Sequence, residues 1–271
     1  MATDYFKFKQ FTVWHGQCAM KVGTDGVLLG AWAPVEGARR ILDVGTGSGV
    51  IALQMAQRAP EARIVAVEID PEAARQAAAN VAASPWADRI EVVCTDFARL
   101  TTEEPFDLIV SNPPYFVNSL QNPDAQRAKA RHSDSLPYDL LLERAAELLA
   151  PSGRFALIFP VEPLGDVLEA AAKHGLALDH LMRVFTKPGQ CKRLMCSFLH
   201  KPLKEQLPQC KAEHLPTHQE EQLPAHQEEH LPAHQEEHLP AHQEEQICIQ
   251  DAQGNYTAQY RTLTAPFYLH F

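Results

Sequence analysis

The residues whose types most clearly indicate chemistry are Asn112-Pro113-Pro114-Tyr115, which stand one residue after an apolar run ending at Val110. Consecutive prolines hold the backbone extended and stiff, so the Asn112 side chain and the Pro113 carbonyl would point in fixed directions. Together these two groups can accept both hydrogens of a planar amino group. The ring of Tyr115 offers a face on which a planar group can stack. The motif therefore indicates chemistry on a planar –NH2 group.

A second motif is glycine-rich. Asp43-Val-Gly45-Thr-Gly47-Ser-Gly49 lies between an apolar run and a helical pattern. Glycines let the backbone turn tightly and approach a ligand closely, and the N-terminus of the following helix would lie just behind. A dinucleotide fingerprint has its third glycine where this chain has Val50, so the loop fits a pyrophosphate poorly. We expect it to hold another small molecule.

Two more acidic residues follow predicted strands. Glu68 stands about 20 residues past the glycines, where a carboxylate can accept both hydroxyls of a ribose. Asp96 follows the next apolar run and could accept from an adenine amino group, while Phe97 covers the ring. Either acid alone could be a surface charge. With Asp43 they stand at three successive strand ends, which favours an adenosine ligand in one crevice.

The elements that position these residues are predicted from apolar runs and helix signals. Strands are expected at Arg40–Val44, Ile64–Val67, Ile90–Val93, Phe106–Val110 and Arg154–Phe159. Helices are expected at Gly49–Ala59, Asp70–Ala83, Tyr138–Leu149 (stopped by Pro151 and Gly153) and Glu162–His174. This alternation is typical of a parallel, doubly wound sheet. Ala177–Phe185 and Arg193–Leu199 then predict an antiparallel pair, and Ile247–Gln250 and Phe267–Phe271 two last strands.

An octapeptide repeat interrupts this pattern. From Leu215 a unit of the type Leu-Pro-Ala-His-Gln-Glu-Glu-His recurs every eight residues, and residues 201–246 carry ten Glu against three Lys. The chain's net charge is -10, so the rest of the chain is nearly neutral. Recurring prolines break any continuous helix, and histidines spaced four apart therefore lose the common face that a metal would need. We expect a solvated spacer and no metal site.

The composition bounds the location of the protein. No apolar run approaches the roughly 18 residues that span a bilayer, and the start has no apolar signal core. The six cysteines form no CxxC pair. Such a chain is expected to be a cytoplasmic protein with free thiols and without a membrane contact.

At the motifs described, the chain resembles the class I S-adenosylmethionine-dependent methyltransferases of the NPPY type. The resemblance implies an α/β fold with a seven-stranded, mostly parallel doubly wound sheet and antiparallel C-terminal strands. It also implies S-adenosylmethionine as cofactor, Asn112, Pro113, Pro114 and Tyr115 as catalytic residues, and a set of cofactor contacts. That set is Asp43, Gly45, Gly47 and Gly49 for the methionine part, Glu68 for the ribose, Asp96 with Phe97 for the adenine, and in addition Ile69 and Asn112.

A narrower resemblance covers nearly the whole chain except the repeats. Phe8 to Val13, His15 and Met20 to Trp32, together with the end from Asn255 to Leu269, are similar to the bacterial tRNA1(Val) N6-adenine methyltransferase family. This implies methylation of the adenosine immediately 3′ of the anticodon, with tRNA as partner and no obligatory protein partner. We expect a methyltransferase domain over residues 1–200, on which residues 1–38 pack. A disordered insert at 201–246 and C-terminal strands of the same domain at 247–271 would follow.

Candidate tRNA contacts are basic. The long loop from Phe116 to Pro137 carries Arg127, Lys129 and Arg131, which favour phosphate contacts, and Lys21 extends the set. Lys7 and Lys9, among the aromatic residues from Tyr5 to Phe11, could extend this surface. The alternative is that these aromatics pack over the sheet edge.

Other functions remain open at this point. The same motif serves enzymes that methylate N5 of a glutamine in a protein such as a release factor, but these carry a sizeable helical domain ahead of the glycine loop. Here only 42 residues precede Asp43. A DNA adenine methyltransferase would need a target-recognition domain, and a module that binds adenosine without catalysis would not need the intact Asn112 motif.

Overall fold

The computed structural model describes residues 3–114, 136–201 and 242–270. Its strands are β1 (Tyr5–Lys7), β2 (Thr12–Trp14), β3 (Arg40–Val44), β4 (Arg63–Glu68), β5 (Ile90–Cys94), β6 (Phe106–Ser111), β7 (Leu149–Pro160), β8 (Leu176–Phe185), β9 (Cys191–His200) and β10 (Gln243–Cys248). Its α-helices are α1 (Thr24–Trp32), α2 (Val50–Arg58), α3 (Pro71–Ala82), α4 (Tyr138–Leu148), α5 (Leu164–Lys173) and α6 (Ala258–Thr264). The repeats at 202–241 lie outside the described residues.

One eight-stranded sheet in the order β10-β8-β9-β7-β6-β3-β4-β5 organises the chain. The five strands β3 to β7 pair in parallel, as do β8 and β10. Within the described part of this sheet only β9 pairs antiparallel, with β7 on one side and β8 on the other. The strands β1 and β2 form a separate antiparallel hairpin. The predicted fold class is confirmed. The sheet has eight strands rather than seven because β10 adds to the free edge of β8.

Both faces of the sheet are covered by helices. Ile41 and Leu108 point into one buried cluster, which includes side chains of α1 and α2. Their chain neighbours Leu42 and Ile109 point into a second cluster, which includes side chains of α4 and α5. Successive side chains of a strand alternate between faces, so a strand apolar at every position requires packing on both sides. The apolar runs of the sequence therefore specify the doubly wound arrangement.

The predicted helix end is confirmed to within one residue, because α4 ends at Leu148. The break expected at Pro151 and Gly153 is wrong, because β7 begins at Leu149 and runs through both residues. Its pairing with β6 shifts register between Phe106 and Leu108. A side chain at Gly153 would begin only 2.8 Å from the Phe106 carbonyl oxygen, so the glycine permits close approach of two strands and does not end an element.

The C-terminal segment also differs from the prediction. The strand expected at Phe267–Phe271 is wrong for the described residues 267–270, which follow α6 as turns and bends. Phe267 is buried in the first cluster, and its carbonyl accepts from the Lys9 amide at 2.8 Å. The apolar residues there serve packing and not a strand. In addition, β10 begins at Gln243, so it takes in the last four residues of the predicted insert.

Candidate active site

The candidate residues follow strands whose carboxyl ends lie side by side. Val44 at the end of β3 pairs with Val67 of β4 and with Ser111 of β6. Glu68 at the end of β4 pairs with Cys94 of β5. The loops after β3, β4, β5 and β6 therefore emerge at one edge of the sheet, where open α/β sheets bind ligands.

The glycine loop after β3 has the backbone that its glycines predict. Gly45, Gly47 and Gly49 have φ values of +70°, +54° and +83°, a region that side chains disfavour. The amides of Gly45 and Thr46 both donate to the Val67 carbonyl at 2.9 Å, which ties the loop to β4. A Cβ at Gly45 or Gly47 would meet nothing within 4 Å. Both glycines thus present bare backbone to open space at the edge.

Asp43 lies beneath this loop and is fully buried. Its Oδ2 accepts from the Thr46 hydroxyl at 2.5 Å and from the Ala52 amide at 3.1 Å, which joins the loop to the first turn of α2. Burial raises the pKa of Asp43 to about 7, against the effect of these two hydrogen bonds. The carboxyl group shapes the loop from within the core and is not displayed at its surface.

Glu68 lies at the tip of β4. Its Oε2 accepts from the Gly47 amide at 2.8 Å, and its Oε1 accepts from the amides of Ile69 and Asp70 at 2.9 and 3.0 Å. A carboxylate has about four acceptor positions, so one on Oε2 remains beyond these three bonds. The next side chain, Ile69, is 46% exposed. The strand tip thus presents a carboxylate edge and an apolar side chain together.

Asp96 and Phe97 follow β5. Asp96 is half-buried and caps the 3-10 helix Phe97–Arg99, since its Oδ1 accepts from the Ala98 amide at 2.9 Å. Phe97 is 5% exposed and packs in the second buried cluster. Its ring therefore belongs to the core, and its cover of an adenine stays a prediction.

Asn112 comes directly after β6, whose last residue Ser111 donates its hydroxyl to the Val44 carbonyl at 3.0 Å. Asn112 is half-buried, Pro113 is buried and Pro114 is exposed. A Cβ at Gly26 of α1 would lie 3.7 Å from the Asn112 amide nitrogen. The helix α1 therefore lies beside the Asn112 amide, at a distance that a side chain at position 26 would fill in ordinary van der Waals contact.

The structure does not describe all of the predicted site residues. Tyr115, Arg127, Lys129 and Arg131 lie outside the described residues. Lys21 is exposed, with its amino nitrogen 4.0 Å from Asp4 Oδ1. Among residues 3–114, 136–201 and 242–270, no group of three or more His, Cys, Asp or Glu side chains could hold a metal ion.

Two residues of the site have no obvious signal in the sequence. Asn80 of α3 is 1% exposed; its Nδ2 donates to the carbonyls of Trp14 and Ser48 at 2.7 and 2.8 Å, and its Oδ1 accepts from the Trp14 amide at 2.9 Å. It joins β2 to the glycine loop. Arg193 of β9 donates to Asp25 Oδ2 at 2.9 Å and so holds α1 beside Asn112. Only the presence of asparagine inside a helix, where it is disfavoured, could have drawn attention to Asn80.

Comparisons with known proteins agree with this geometry. The Methyltransferase small domain family matches residues 20–161. The chain is 54% identical over 219 residues to a tRNA1(Val) (adenine(37)-N6)-methyltransferase of Bacteroides thetaiotaomicron, a match that covers 79% of this chain and 92% of that protein. A protein of the same name from Phocaeicola vulgatus is 56% identical over 73% of this chain and 85% of its own length.

The fold has a counterpart among solved structures. A predicted O-methyltransferase, protein Atu636 from Agrobacterium tumefaciens, superposes with a TM-score of 0.59 at 16% identity, over 90% of this chain and 96% of that one. Its low identity shows a shared fold and no more. The sequence matches, at more than half identity across most of both chains, show the relationship itself. The chain belongs to the tRNA1(Val) (adenine(37)-N6)-methyltransferase family.

Proposed function

We propose that this protein transfers a methyl group from S-adenosylmethionine to the exocyclic N6 of the adenosine at position 37 of tRNA1(Val), the nucleotide 3′ of the anticodon. The placement of Asn112 carries the proposal, because it sets an amide for planar –NH2 recognition at the tip of β6, next to the glycine loop. The relatives' names supply the substrate and the position.

The residues at the edge fit this cofactor. Gly45 and Gly47 leave open space where side chains would stand, as a cradle for a closely held amino acid moiety requires. Glu68 keeps an acceptor position on Oε2 for a ribose hydroxyl, and exposed Ile69 offers an apolar surface for a purine. Asp43 acts from below by holding Thr46 and Ala52 in place. The bound cofactor supplies an electrophilic methyl group on a sulfonium.

The role of Asn112 is to prepare the nucleophile. The lone pair of adenine N6 is delocalised into the ring. If the Asn112 side chain and the Pro113 carbonyl each accept one N6 hydrogen, the lone pair localises and points at the methyl carbon. N6 would take the methyl group that the bound cofactor supplies as the carbon–sulfur bond breaks, and it would then lose a proton. No dedicated base is needed, since the methylated nitrogen is strongly acidic until that proton leaves.

The RNA side of the site is also a proposal. The target base leaves its stack to reach Asn112, and Tyr115 holds it by stacking. Lys21, Arg127, Lys129 and Arg131 contact the tRNA phosphates. We place the enzyme in the cytoplasm, with no obligatory protein partner. Within the described ranges, none of the helices is both long and apolar enough to cross a bilayer.

Replacement of Asn112 tests the mechanism. Asn112→Ala removes the side-chain acceptor and should lower turnover on tRNA at least ~100-fold, the scale for one preorganised polar group. Cofactor affinity, measured by calorimetry, should fall far less than turnover. Asn255→Ala, the same change in the turn around Asp251, is the matched control and should keep full turnover. Near-normal methylation by Asn112→Ala would refute this role.

A further inference from the structure

The two strands of the N-terminal hairpin have a buried and an exposed face. In β1, Tyr5 and Lys7 are exposed while Phe6 between them is half-buried; in β2, Val13 is buried and Trp14 is exposed. The buried face joins Phe8, Phe11 and Tyr268 in the first core cluster. The aromatics of this segment therefore divide: Phe6, Phe8 and Phe11 pack, whereas Tyr5 and Trp14 face outward.

Tyr5 and Trp14 form one exposed aromatic pair. They are opposite each other across the hairpin, with ring centroids 4.9 Å apart and ring planes at 47°. Tyr5 is 41% exposed and Trp14 is 50% exposed, although tryptophan is normally buried to a large extent. Such a grouping of large exposed apolar side chains marks an interaction surface.

This surface lies beside the candidate active site. The Asn80 nitrogen that donates to the Trp14 carbonyl also donates to Ser48 in the glycine loop. Further along the same segment, the pKa of the Cys18 thiol is raised to about 11. Burial is the main cause, and the negative charges of Glu68 and Asp70 add to it, so Cys18 lies close to both carboxylates. The chain from Trp14 to Lys21 thus runs from the aromatic pair to the rim of the crevice.

The hairpin holds the pair in place before any ligand binds. Phe8 and Phe11 stack with centroids 4.6 Å apart, the Lys9 amide donates to the Phe267 carbonyl, and the Lys9 side chain donates to the Ala265 carbonyl at 2.6 Å. On the other side, the Asn80 side chain makes two hydrogen bonds to the Trp14 backbone and one to Ser48 of the glycine loop. The backbone of the hairpin is therefore held on two sides. A fixed aromatic surface loses little conformational entropy when it binds.

The neighbouring charges favour an anionic partner. Lys7 alternates with Tyr5 on the exposed face, and the described residues contain no ion pair to it. Lys21 is also near Tyr5, because its amino nitrogen lies 4.0 Å from Oδ1 of Asp4, the acidic residue before Tyr5. Exposed aromatic rings interleaved with lysines are the chemistry that binds unpaired nucleotides, because bases stack on the rings and phosphates pair with the amines.

We infer that Tyr5 and Trp14, flanked by Lys7 and Lys21, form a stacking platform for unpaired bases of the RNA substrate next to the base that is methylated. The inference rests on the proposed tRNA substrate and deepens it. A base that leaves the stack exposes its neighbours, and the platform gives one or two of them a new partner. The rings therefore increase the affinity for a single-stranded loop. They do not increase the affinity for a duplex, because the bases of a duplex are already stacked on one another.

Steady-state methylation of an anticodon stem-loop RNA tests the platform. Trp14→Ala and Tyr5→Ala should each raise KM for the RNA about tenfold, the scale of one lost base–aromatic stack, while kcat at saturating RNA and cofactor affinity stay within twofold. Trp14→Phe, which keeps a ring, should restore most of the affinity. Tyr256→Ala is the matched control, since Tyr256 is also 41% exposed and paired with another ring. Unchanged KM in both alanine variants would overturn the inference.

Fluorescence separates the platform from the proposed reaction. Stem-loop RNA should quench the emission of the wild-type protein, and Trp14→Phe should abolish this quenching. Duplex RNA of equal length should bind more weakly and quench little. Quenching without any methylation of tRNA would support the platform and refute the proposed reaction. Methylation without Trp14-dependent quenching would support the reaction and refute the platform. The exposed face of Tyr5 and Trp14 would then bind a different class of partner.

Discussion

Water access separates the roles of the two acids nearest the glycine loop. Asp43 and Glu68 both accept hydrogen bonds from backbone amides of that region. Asp43 is fully buried, whereas Glu68 is half-buried at the end of its strand. An ionised carboxylate in the core loses its hydration, and two hydrogen bonds do not fully replace it. The pKa of Asp43 therefore rises to about 7.

This pKa predicts a pH dependence of stability. The unfolded aspartate titrates near ~3.9. The folded protein holds the proton more tightly, so the stabilisation is complete below about pH 4 and declines until pH reaches about 7. Asp43→Asn removes this titration. Between pH 4.5 and 7, the wild-type free energy of unfolding should fall relative to that of the variant, by at most about 1.4 kcal/mol per pH unit.

Urea denaturation of both proteins at several pH values measures this difference, because the other titrating groups are common to both and cancel. Parallel pH profiles would show that Asp43 is ionised in the folded protein at all these pH values. The same comparison leaves the role of Glu68 untouched, since that carboxylate keeps its three backbone donors.

Residue types and their spacing predict the motifs but not the burial of each member. The pattern around Asp43 predicts a ligand loop, yet only the packing of β3 between β4 and β6 decides that its carboxyl group faces the core. The pattern likewise does not predict that Phe97 is almost fully buried, and its contact with an adenine stays a prediction. Asn80 depends on a contact between residues 66 positions apart, which no local pattern contains.

At the scale of elements, α3 connects the hairpin to the glycine loop. Asn80→Ala would leave the Trp14 amide and two carbonyls without their partner in a buried place, and each unsatisfied group costs about 1–3 kcal/mol. The variant should lose about 2–4 kcal/mol of unfolding free energy and bind cofactor more weakly, because Ser48 loses its support. Calorimetry and denaturation measure both effects.

The exposed Asn255→Ala provides the baseline for Asn80→Ala, with an expected loss below about 1 kcal/mol. If Asn80→Ala lost as little unfolding free energy as Asn255→Ala and kept full cofactor affinity, the hydrogen bonds of Asn80 to β2 and to the glycine loop would not stabilise the protein.

Elements with strong apolar periodicity were predicted well, and the errors occur where tertiary contacts decide. The strands β3 to β6 and the hairpin of β8 and β9 lie within a few residues of their predicted positions, because their apolar runs have both faces buried. Gly153 predicts a break between the helix and the next strand, but it lies inside β7 and permits the close approach of Phe106. Phe267 looked like part of a strand, but it fills the core beside the hairpin.

At the scale of the whole molecule, the octapeptide tract that begins at Leu215 overlaps with β10, because its last residues, Gln243–Gln246, belong to that strand. The repeats before β10 can therefore be deleted separately from these four residues. Deletion of Leu215–His238 removes three whole repeats and six Glu, so the net charge of -10 becomes -4. A shorter connection changes loop-closure entropy by less than about 1 kcal/mol. Stability and methylation should be nearly unchanged.

A longer deletion, Leu215–Gln246, also removes Gln243–Gln246, which pair with β8, and the ion pair from Glu244 to Arg183. It should cost at least about 2 kcal/mol of unfolding free energy, because several ladder hydrogen bonds are lost at about 1 kcal/mol each. Thermal denaturation of the two deletions gives the comparison. Equal stabilities would show that residues Gln243–Gln246 of β10 contribute nothing to stability. Loss of activity in the shorter deletion would show that the repeats take part in catalysis.

The central claim is that the edge formed by the glycine loop, Glu68 and Asn112 methylates one adenosine of tRNA. Mass spectrometry of a tRNA1(Val) transcript after reaction with the protein and S-adenosylmethionine tests it most directly. We predict one methyl group, on N6 of the adenosine at position 37, and none on a transcript that carries guanosine there. A methyl group on another nucleotide, or on a glutamine of a release factor while the tRNA stays unmodified, would contradict the account.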